Sequence, residues 1–202
     1  MKALIVNYEM GNVASVKKAL DFIGIESIIS NLEKDFEDSE FIILPGVGSF
    51  KQGMDNLNKL NLVNILNNEI LIKKKPFLGI CLGMQLIAQT GTEHGITDGL
   101  GWIEGTILKI QSNDLRIPHL GWNNLISTKD SILKSFNGKD FYFIHSYHFD
   151  VTKTEDIAAT VNYGKQYVAA VRKDNIFATQ FHPEKSQEQG IKLLKYFFNH
   201  NA

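Results

Sequence analysis

The feature that most restricts the fold is an alternation, through the first part of the chain, between short apolar runs and longer amphipathic stretches. Lys2–Val6, Ile25–Ser30, Phe41–Leu44 and Phe77–Ile80 are too short for stable helices and read as strands. Between the first two, Val13, Val16, Leu20 and Ile23 share one helical face, and Gly24 supplies a stop. Leu57–Lys75 carries enough apolar residues for another helix, its Lys73-Lys74-Lys75 run suits a C-terminal turn facing the helix dipole, and Pro76 closes it. A further helix is expected from Met84 to Gln89. Strands that alternate with helices pair in parallel, because each parallel connection needs a crossover and the helix provides it.

From Gly99 to Gln180 the texture changes to β-type runs separated by turn residues: Thr106–Ile110, Phe141–Ser146, Tyr167–Val171 and Ile176–Gln180. They are expected to add strands to the same sheet and a small antiparallel layer. Ser186 and Gln189 have the spacing of a capping box, ahead of a helix with Ile191, Leu194 and Phe198 on one stripe. The expectation is an α/β fold, one domain over residues 1–202, with a mostly parallel central sheet flanked by helices.

A chain of 202 residues with 44% hydrophobic composition can bury a continuous core without disulfides or metals. The formal charge of -1 offers no net attraction to nucleic acid or to anionic lipid, and the apolar start before Asn7 and Glu9 is too short for a membrane span, so the reading is soluble and cytoplasmic. A single cysteine excludes an internal disulfide, a CxxC redox pair and a multi-cysteine zinc site. Neither His119 and His145 nor His94, His148 and His200 has the spacing of a metal site.

That cysteine stands in a special place. Gly79-Ile80-Cys81-Leu82-Gly83 puts it at a strand-to-helix turn with glycine two residues away on either side, as in the nucleophile elbow of hydrolases. The missing Cβ atoms let the backbones close up while the sulfur projects, and the helix N-terminus that follows favours an anion there. The alternative reading is a small buried hydrophobe. A nucleophile needs a base, and Phe181-His182-Pro183-Glu184 offers an imidazole with a carboxylate two residues on, the proline restricting the segment between them. Taken separately, His182 also reads as a structural histidine and Glu184 as a solvated acid. Pro45-Gly46-Val47-Gly48-Ser49-Phe50 is a glycine-rich turn after a strand, able to aim backbone N–H groups at a developing oxyanion together with the amide of Leu82. It lacks the Lys-Ser/Thr ending of a phosphate loop.

These three motifs, in this order, resemble the class I glutamine amidotransferases over almost the whole chain. Gly11-Asn12, PGVGSF at 45–50, GICLGMQL at 79–86, IPHLGWN at 117–123, FYFIHSY at 141–147 and QFHPEKS at 180–186 are similar to the glutaminase subunits of imidazole glycerol phosphate synthases. The resemblance implies that Cys81, His182 and Glu184 form a catalytic triad, that Val47, Gly48 and Leu82 supply the oxyanion site, and that Gly46, Gln85, Ser146 and Tyr147 bind L-glutamine. It implies no cofactor, and a heterodimer with a (β/α)8-barrel cyclase subunit, HisF, faced by Asn12, Trp122, Tyr142 and Lys185. Ammonia would convert the intermediate PRFAR to imidazole glycerol phosphate and AICAR. Two segments depart from the pattern. Asn7–Asn12 replaces the usual Asp-Tyr-Gly before Gly-Asn, and Gly99-Leu100-Gly101-Trp102-Ile103 is similar to paralogues that feed ammonia to surface-sugar amidotransferases. A stand-alone cysteine hydrolase and a non-catalytic binding subunit are the readings from other classes.

Overall fold

Whether those runs become strands depends on what covers them, and in the computed structural model, which describes residues 1–111, 115–127 and 133–200, both faces of the first strands are covered. β1 (Lys2–Val6) is followed by α1 (Val13–Phe22), β2 (Glu26–Ser30), α2 (Glu33–Glu37) and β3 (Phe41–Leu44). Two helices, α3 (Phe50–Lys59) and α4 (Leu62–Asn67), and a π-helical turn at Asn68–Ile72 lead to β4 (Phe77–Ile80) and the short α5 (Leu82–Leu86). Next come β5 (Ala88–Gly91), β6 (Thr97–Asp98), β7 (Ile103–Lys109), β8 (His119–Ser127) and β9 (Asp140–His145). Finally come β10 (Tyr147–Val151), β11 (Ile157–Tyr163), β12 (Lys165–Lys173), β13 (Ile176–Thr179) and α6 (Gln187–His200).

The larger sheet runs β2-β1-β3-β4-β13-β12-β11-β8-β9. It is parallel from β2 to β13 and antiparallel from there to β9, so it is mixed, with the strands of the second half extending the first sheet. The smaller sheet, β10-β7-β5-β6, is mixed too, because β5 runs parallel to β7. Along β1, Ala3 and Ile5 enter one core with Val16 and Leu20 of α1 and Phe197 and Phe198 of α6. Leu4 and Val6 enter the other with Phe36, Leu57 and Leu66. Burial on both faces explains why these strands read as continuous apolar runs. The stripe expected on α6 is seated by Phe198, whose ring centroid lies 4.8 Å from that of Phe41. Burying one such side chain contributes about 1.5–3 kcal/mol.

Three expectations need correction. The helix expected over Leu57–Lys75 starts earlier, at Phe50, where Ser49 accepts the N–H of Gln52, and it breaks at Asn61, whose φ of 54° is left-handed. Asparagine tolerates that conformation better than most residues. The helix expected from Met84 to Gln89 ends at Leu86, because the carbonyls of Leu86, Ile87 and Ala88 accept N–H groups from Leu100, Trp102 and Gly101 and the chain joins the smaller sheet. The capping box does not form. The Ser186 hydroxyl instead donates to the His182 carbonyl and accepts from the Tyr142 N–H.

The Lys73–Lys75 run also has a role that differs from the expected one. Glu69, with a side chain only 2% exposed, holds Lys73 Nζ at 2.7 Å and Lys75 Nζ at 2.8 Å. Burial alone would raise its pKa, but the hydrogen bonds and charges of the two lysines hold it below the ordinary value. Its stabilisation is therefore present above the unfolded carboxylate pKa and is lost as pH falls through the lower folded value. Lys75 also donates to the Phe36 and Glu37 carbonyls, tying α2 to the same point. Lys75→Met is expected to cost about 1–3 kcal/mol in urea unfolding near neutral pH, since it leaves one oxygen of a buried carboxylate without its partner while Lys73 still holds the other. Lys74→Met, at an exposed side chain, should change stability by less than about 0.5 kcal/mol.

Candidate active site

β4 brings Cys81 to the edge of the sheet's C-terminal end. Its N–H still donates to the Thr179 carbonyl at 2.7 Å, in register with β13, but its φ of 54° and ψ of -105° turn the chain sharply into α5. For a residue with a Cβ this conformation costs on the order of 1–3 kcal/mol and persists only where packing enforces it. The glycines show the enforcement. A Cβ on Gly83 would overlap the Leu44 carbonyl oxygen at the end of β3, and one on Gly79 would meet the Gly83 carbonyl at 3.0 Å. Only glycine lets the elbow pack this closely against its neighbouring strand.

Cys81 is 6% exposed, and its sulfur meets three residues. Its thiol donates to the Ile144 carbonyl of β9 at 3.8 Å, and the side-chain amide of Gln180 donates to it at 3.7 Å. The third is His182, just past β13. Its Nδ1 lies 2.7 Å from Glu184 Oε1, and both side chains are 2% exposed. Nε2 is buried without a hydrogen-bond partner of ordinary geometry, which leaves it for the cysteine. Burial pulls the His182 pKa down, but contact with the Cys81 sulfur and with Glu184 overcomes burial and raises it to about 9. The imidazole is thus charged at neutral pH, ready to give a proton.

A cavity of about 410 Å³ opens beside the cysteine. Val47, Gly48, Leu82, Gln85, Ser146 and Tyr147 all stand on its wall, whereas Gly46 does not. The Gly46 carbonyl instead accepts the N–H of Leu82 at 3.3 Å, so the expected oxyanion donor is occupied. The Gln85 amide donates to the Tyr147 carbonyl at 3.1 Å and to Gln180 Oε1 at 3.0 Å. Glu93 and Lys109 also line the cavity, and neither was legible in the sequence. Glu93 sits in a turn with no periodic pattern, and Lys109 is an ordinary strand-end lysine until β7 pairs with β10 and sets it opposite Tyr147. Gln180 was missed for a similar reason, as its place beside the sulfur depends on β13 pairing with β4.

The segments expected to face a partner lie close to this machinery. Trp122 and Tyr142 are register partners on β8 and β9, with ring centroids 6.0 Å apart, and Trp122 is 48% exposed. Leu120 and Ile144 are the next such pair on the same face, and both are exposed. Contiguous exposed apolar residues of this kind mark interaction surfaces. The Tyr142 carbonyl accepts the His182 N–H at 2.9 Å, so the exposed pair and the candidate base share one strand. Lys185 follows in the same turn as Glu184, and Asn12 caps α1 by accepting the N–H of Ser15. Trp102, in the segment that departs from the usual pattern, is buried edge-on against Phe77 and donates to Asn67, so it serves the core.

Titration of His182 is the direct test of this electrostatic arrangement. Followed by NMR, the imidazole is expected to titrate near pH 9, and lower in Cys81→Ala, which removes part of what raises it. Because the folded value lies above the unfolded 6.5, the stabilisation from this group is complete below about pH 6.5 and is lost as pH rises through about 9.

The model of the family Glutamine amidotransferase class-I matches residues 4–201. The imidazole glycerol phosphate synthase subunit HisH 1 of Campylobacter jejuni is 47% identical over 96% of this chain and 97% of its own. The corresponding HisH subunit of Aquifex aeolicus is 43% identical over 98% and 96%. Among solved structures, a glutamine amidotransferase superposes with a TM-score of 0.76 at 19% identity over 97% of both chains. PurLQS from Thermotoga maritima does so with a TM-score of 0.73 at 20% identity over 98% of each.

Proposed function

Because the chain belongs to the class I glutamine amidotransferases, we propose that its site hydrolyses L-glutamine as the glutaminase subunit of an imidazole glycerol phosphate synthase. The observation that carries this reading is the strained Cys81 elbow, with the His182–Glu184 pair and a cavity beside it, in a chain 47% identical to a HisH subunit. Residues 1–202 are read as one amidotransferase domain, supported by the match over 4–201. Among the described residues no helix is long and apolar enough to cross a membrane, and the proposed place of work is the cytoplasm.

In the proposed reaction the Cys81 sulfur attacks the side-chain amide carbon of glutamine, and the carbon–nitrogen bond breaks as His182 protonates the departing ammonia. Glu184 stabilises the imidazolium. Water, deprotonated by the now neutral His182, hydrolyses the glutamyl thioester to glutamate and frees the sulfur. Gln85, Ser146 and Tyr147 orient the substrate. Glu93 and Lys109 place an acid and a base on the same wall, which suits the α-ammonium and α-carboxylate of a free amino acid. The tetrahedral oxyanion needs the Leu82 N–H, and this donor becomes available when the Gly46 carbonyl turns away. Gly46 and Gly48 on either side of Val47 make that turn sterically easy. One such donor is worth about 10²–10³ in rate.

The proposed partner is a (β/α)8-barrel cyclase subunit, HisF, which receives the ammonia and converts PRFAR to imidazole glycerol phosphate and AICAR. Support comes from the subunit names of the relatives and from the exposed Leu120, Trp122 and Ile144. Docking there presses on β9, which holds the His182 backbone and the Cys81 thiol.

The free chain is expected to hydrolyse glutamine at least roughly 10²-fold more slowly than its complex with the cyclase and acceptor substrate, as a blocked oxyanion donor requires. Equal rates would favour a stand-alone hydrolase, and a pull-down that returns a sugar amidotransferase would replace the proposed acceptor. In the complex, Cys81→Ala should abolish turnover while folding and docking persist. His182→Ala should cost several orders of magnitude and Glu184→Gln less, because the carboxylate orients rather than transfers the proton. Near-wild-type rates in both would sink the triad.

A further inference from the structure

Two buried histidines, His145 on the wall of the cavity and His119 against it, take no part in the proposed chemistry. His119 on β8 and His145 on β9 are register partners, 3% and 5% exposed, with His119 Nδ1 lying 3.0 Å from His145 Nε2. The His119 ring is stacked between Phe143 and Tyr163, at centroid distances of 4.8 and 4.1 Å, so it cannot turn freely.

Backbone groups at both ends dictate where the protons sit. His145 Nδ1 lies 2.8 Å from the Tyr147 carbonyl, which can only accept, so Nδ1 carries the hydrogen and Nε2 of the neutral ring must accept. His119 Nδ1 therefore donates, and its Nε2 accepts from the Asn123 amide at 3.3 Å. The orientation of that amide is fixed independently, since its nitrogen also donates to the Asn162 carbonyl at 2.9 Å and its oxygen accepts the Asn124 N–H at 2.9 Å. Adding a proton to either ring would set donor against donor. Burial holds both histidines well below the ordinary value, His119 at about 4 and His145 at about 3, in keeping with that restriction.

The order continues into the site. The Tyr147 carbonyl accepts from His145 and also from Gln85, whose second amide hydrogen goes to Gln180 Oε1. Gln180 must then present its NH₂ to the Cys81 sulfur, as it does at 3.7 Å. A donor aimed at sulfur stabilises negative charge there.

We propose that His119 and His145 are positioning residues: as neutral Nδ1–H imidazoles they hold the Tyr147 carbonyl so that Gln85 and Gln180 face glutamine and the Cys81 sulfur. The chain of donors starts at Asn123, next to Trp122, and joins β8 to the nucleophile. This deepens the glutaminase reading and rests on it for its kinetic consequence alone.

The first test is ¹⁵N NMR of histidine-labelled wild-type protein at neutral pH. Both rings are expected as neutral Nδ1–H tautomers, the less common form in solution, and either ring found as Nε2–H or as imidazolium overturns the proposal. The second is glutamine kinetics in the complex with the cyclase. His145→Phe should raise KM roughly tenfold and also lower kcat, on the scale of a lost hydrogen bond and an orphaned donor. His145→Asn returns an N–H to the position of Nδ1 and should recover most of the KM. Unchanged kinetics in His145→Phe, or equal losses in both variants, would overturn the proposal. The tautomers are read without turnover, so failure here is distinguishable from failure of the glutaminase reading, and remains measurable if His145→Phe does not fold.

Discussion

The site depends on one close approach. Gly83 packs against the Leu44 carbonyl, and this contact holds α5 against the end of β3 so tightly that Cys81 is forced into a backbone conformation it would otherwise avoid. A gentler turn would leave the sulfur inside the sheet. With the turn as it is, the sulfur emerges where β13 ends and His182 begins, and the Pro45–Phe50 loop is drawn over α5, where the Gly46 carbonyl reaches the Leu82 N–H. The elbow and the places of the proposed base and oxyanion loop are thus consequences of the parallel order β3-β4-β13, in which all three strands end on the same side. This is the usual place for function in α/β sheets, at the carboxyl ends of the strands.

Around that point the electrostatics favour a charged imidazole at His182. A histidine buried this deeply would ordinarily be neutral, yet the sulfur and Glu184 reverse the effect of burial. The neighbouring histidines go the other way: burial lowers both, and at His145 the nearby His119, His148 and His182 add to it against the hydrogen bond to the Tyr147 carbonyl. Two kinds of imidazole therefore lie within one site, a charged one that can move a proton and a neutral pair that can only order hydrogen bonds. β9 touches both, through the Tyr142 carbonyl on His182 and through His145 itself, and its exposed face carries Tyr142 and Ile144. A partner seated on β8 and β9 would have a short path to Cys81, the proposed nucleophile.

Much of this was legible in the sequence because the determining residues are local. Phe77–Ile80 followed by Cys81-Leu82-Gly83 carries the glycine spacing that the elbow needs, and His182-Pro183-Glu184 sets a carboxylate two residues from the imidazole, where its Oε1 lies 2.7 Å from Nδ1. Where long-range pairing overrides local preference, the reading failed. Ala88 and Gln89 suit a helix but are captured by β7, and Ser186 suits a cap but is drawn to Tyr142 and His182. Glu93 and Lys109 carry no motif, Gln180 opens the QFHPEKS segment without any sign of its role, and only the assembled sheets bring the three to the cavity or the sulfur. Trp102 shows the converse, since a residue that suggested a different acceptor turns out to fill the core against Phe77.

The central claim, that the Cys81 sulfur is the glutamine-directed nucleophile held back by an occupied oxyanion donor, is tested most directly by covalent capture. The chain would be incubated with a glutamine analogue bearing an electrophilic diazoketone or chloroketone at the side-chain carbonyl, alone and in complex with the cyclase, and mapped by peptide mass spectrometry. The account requires one adduct per chain, on Cys81, formed faster in the complex and suppressed by L-glutamine. An active complex that leaves Cys81 unmodified, or labelling indifferent to glutamine, would contradict it.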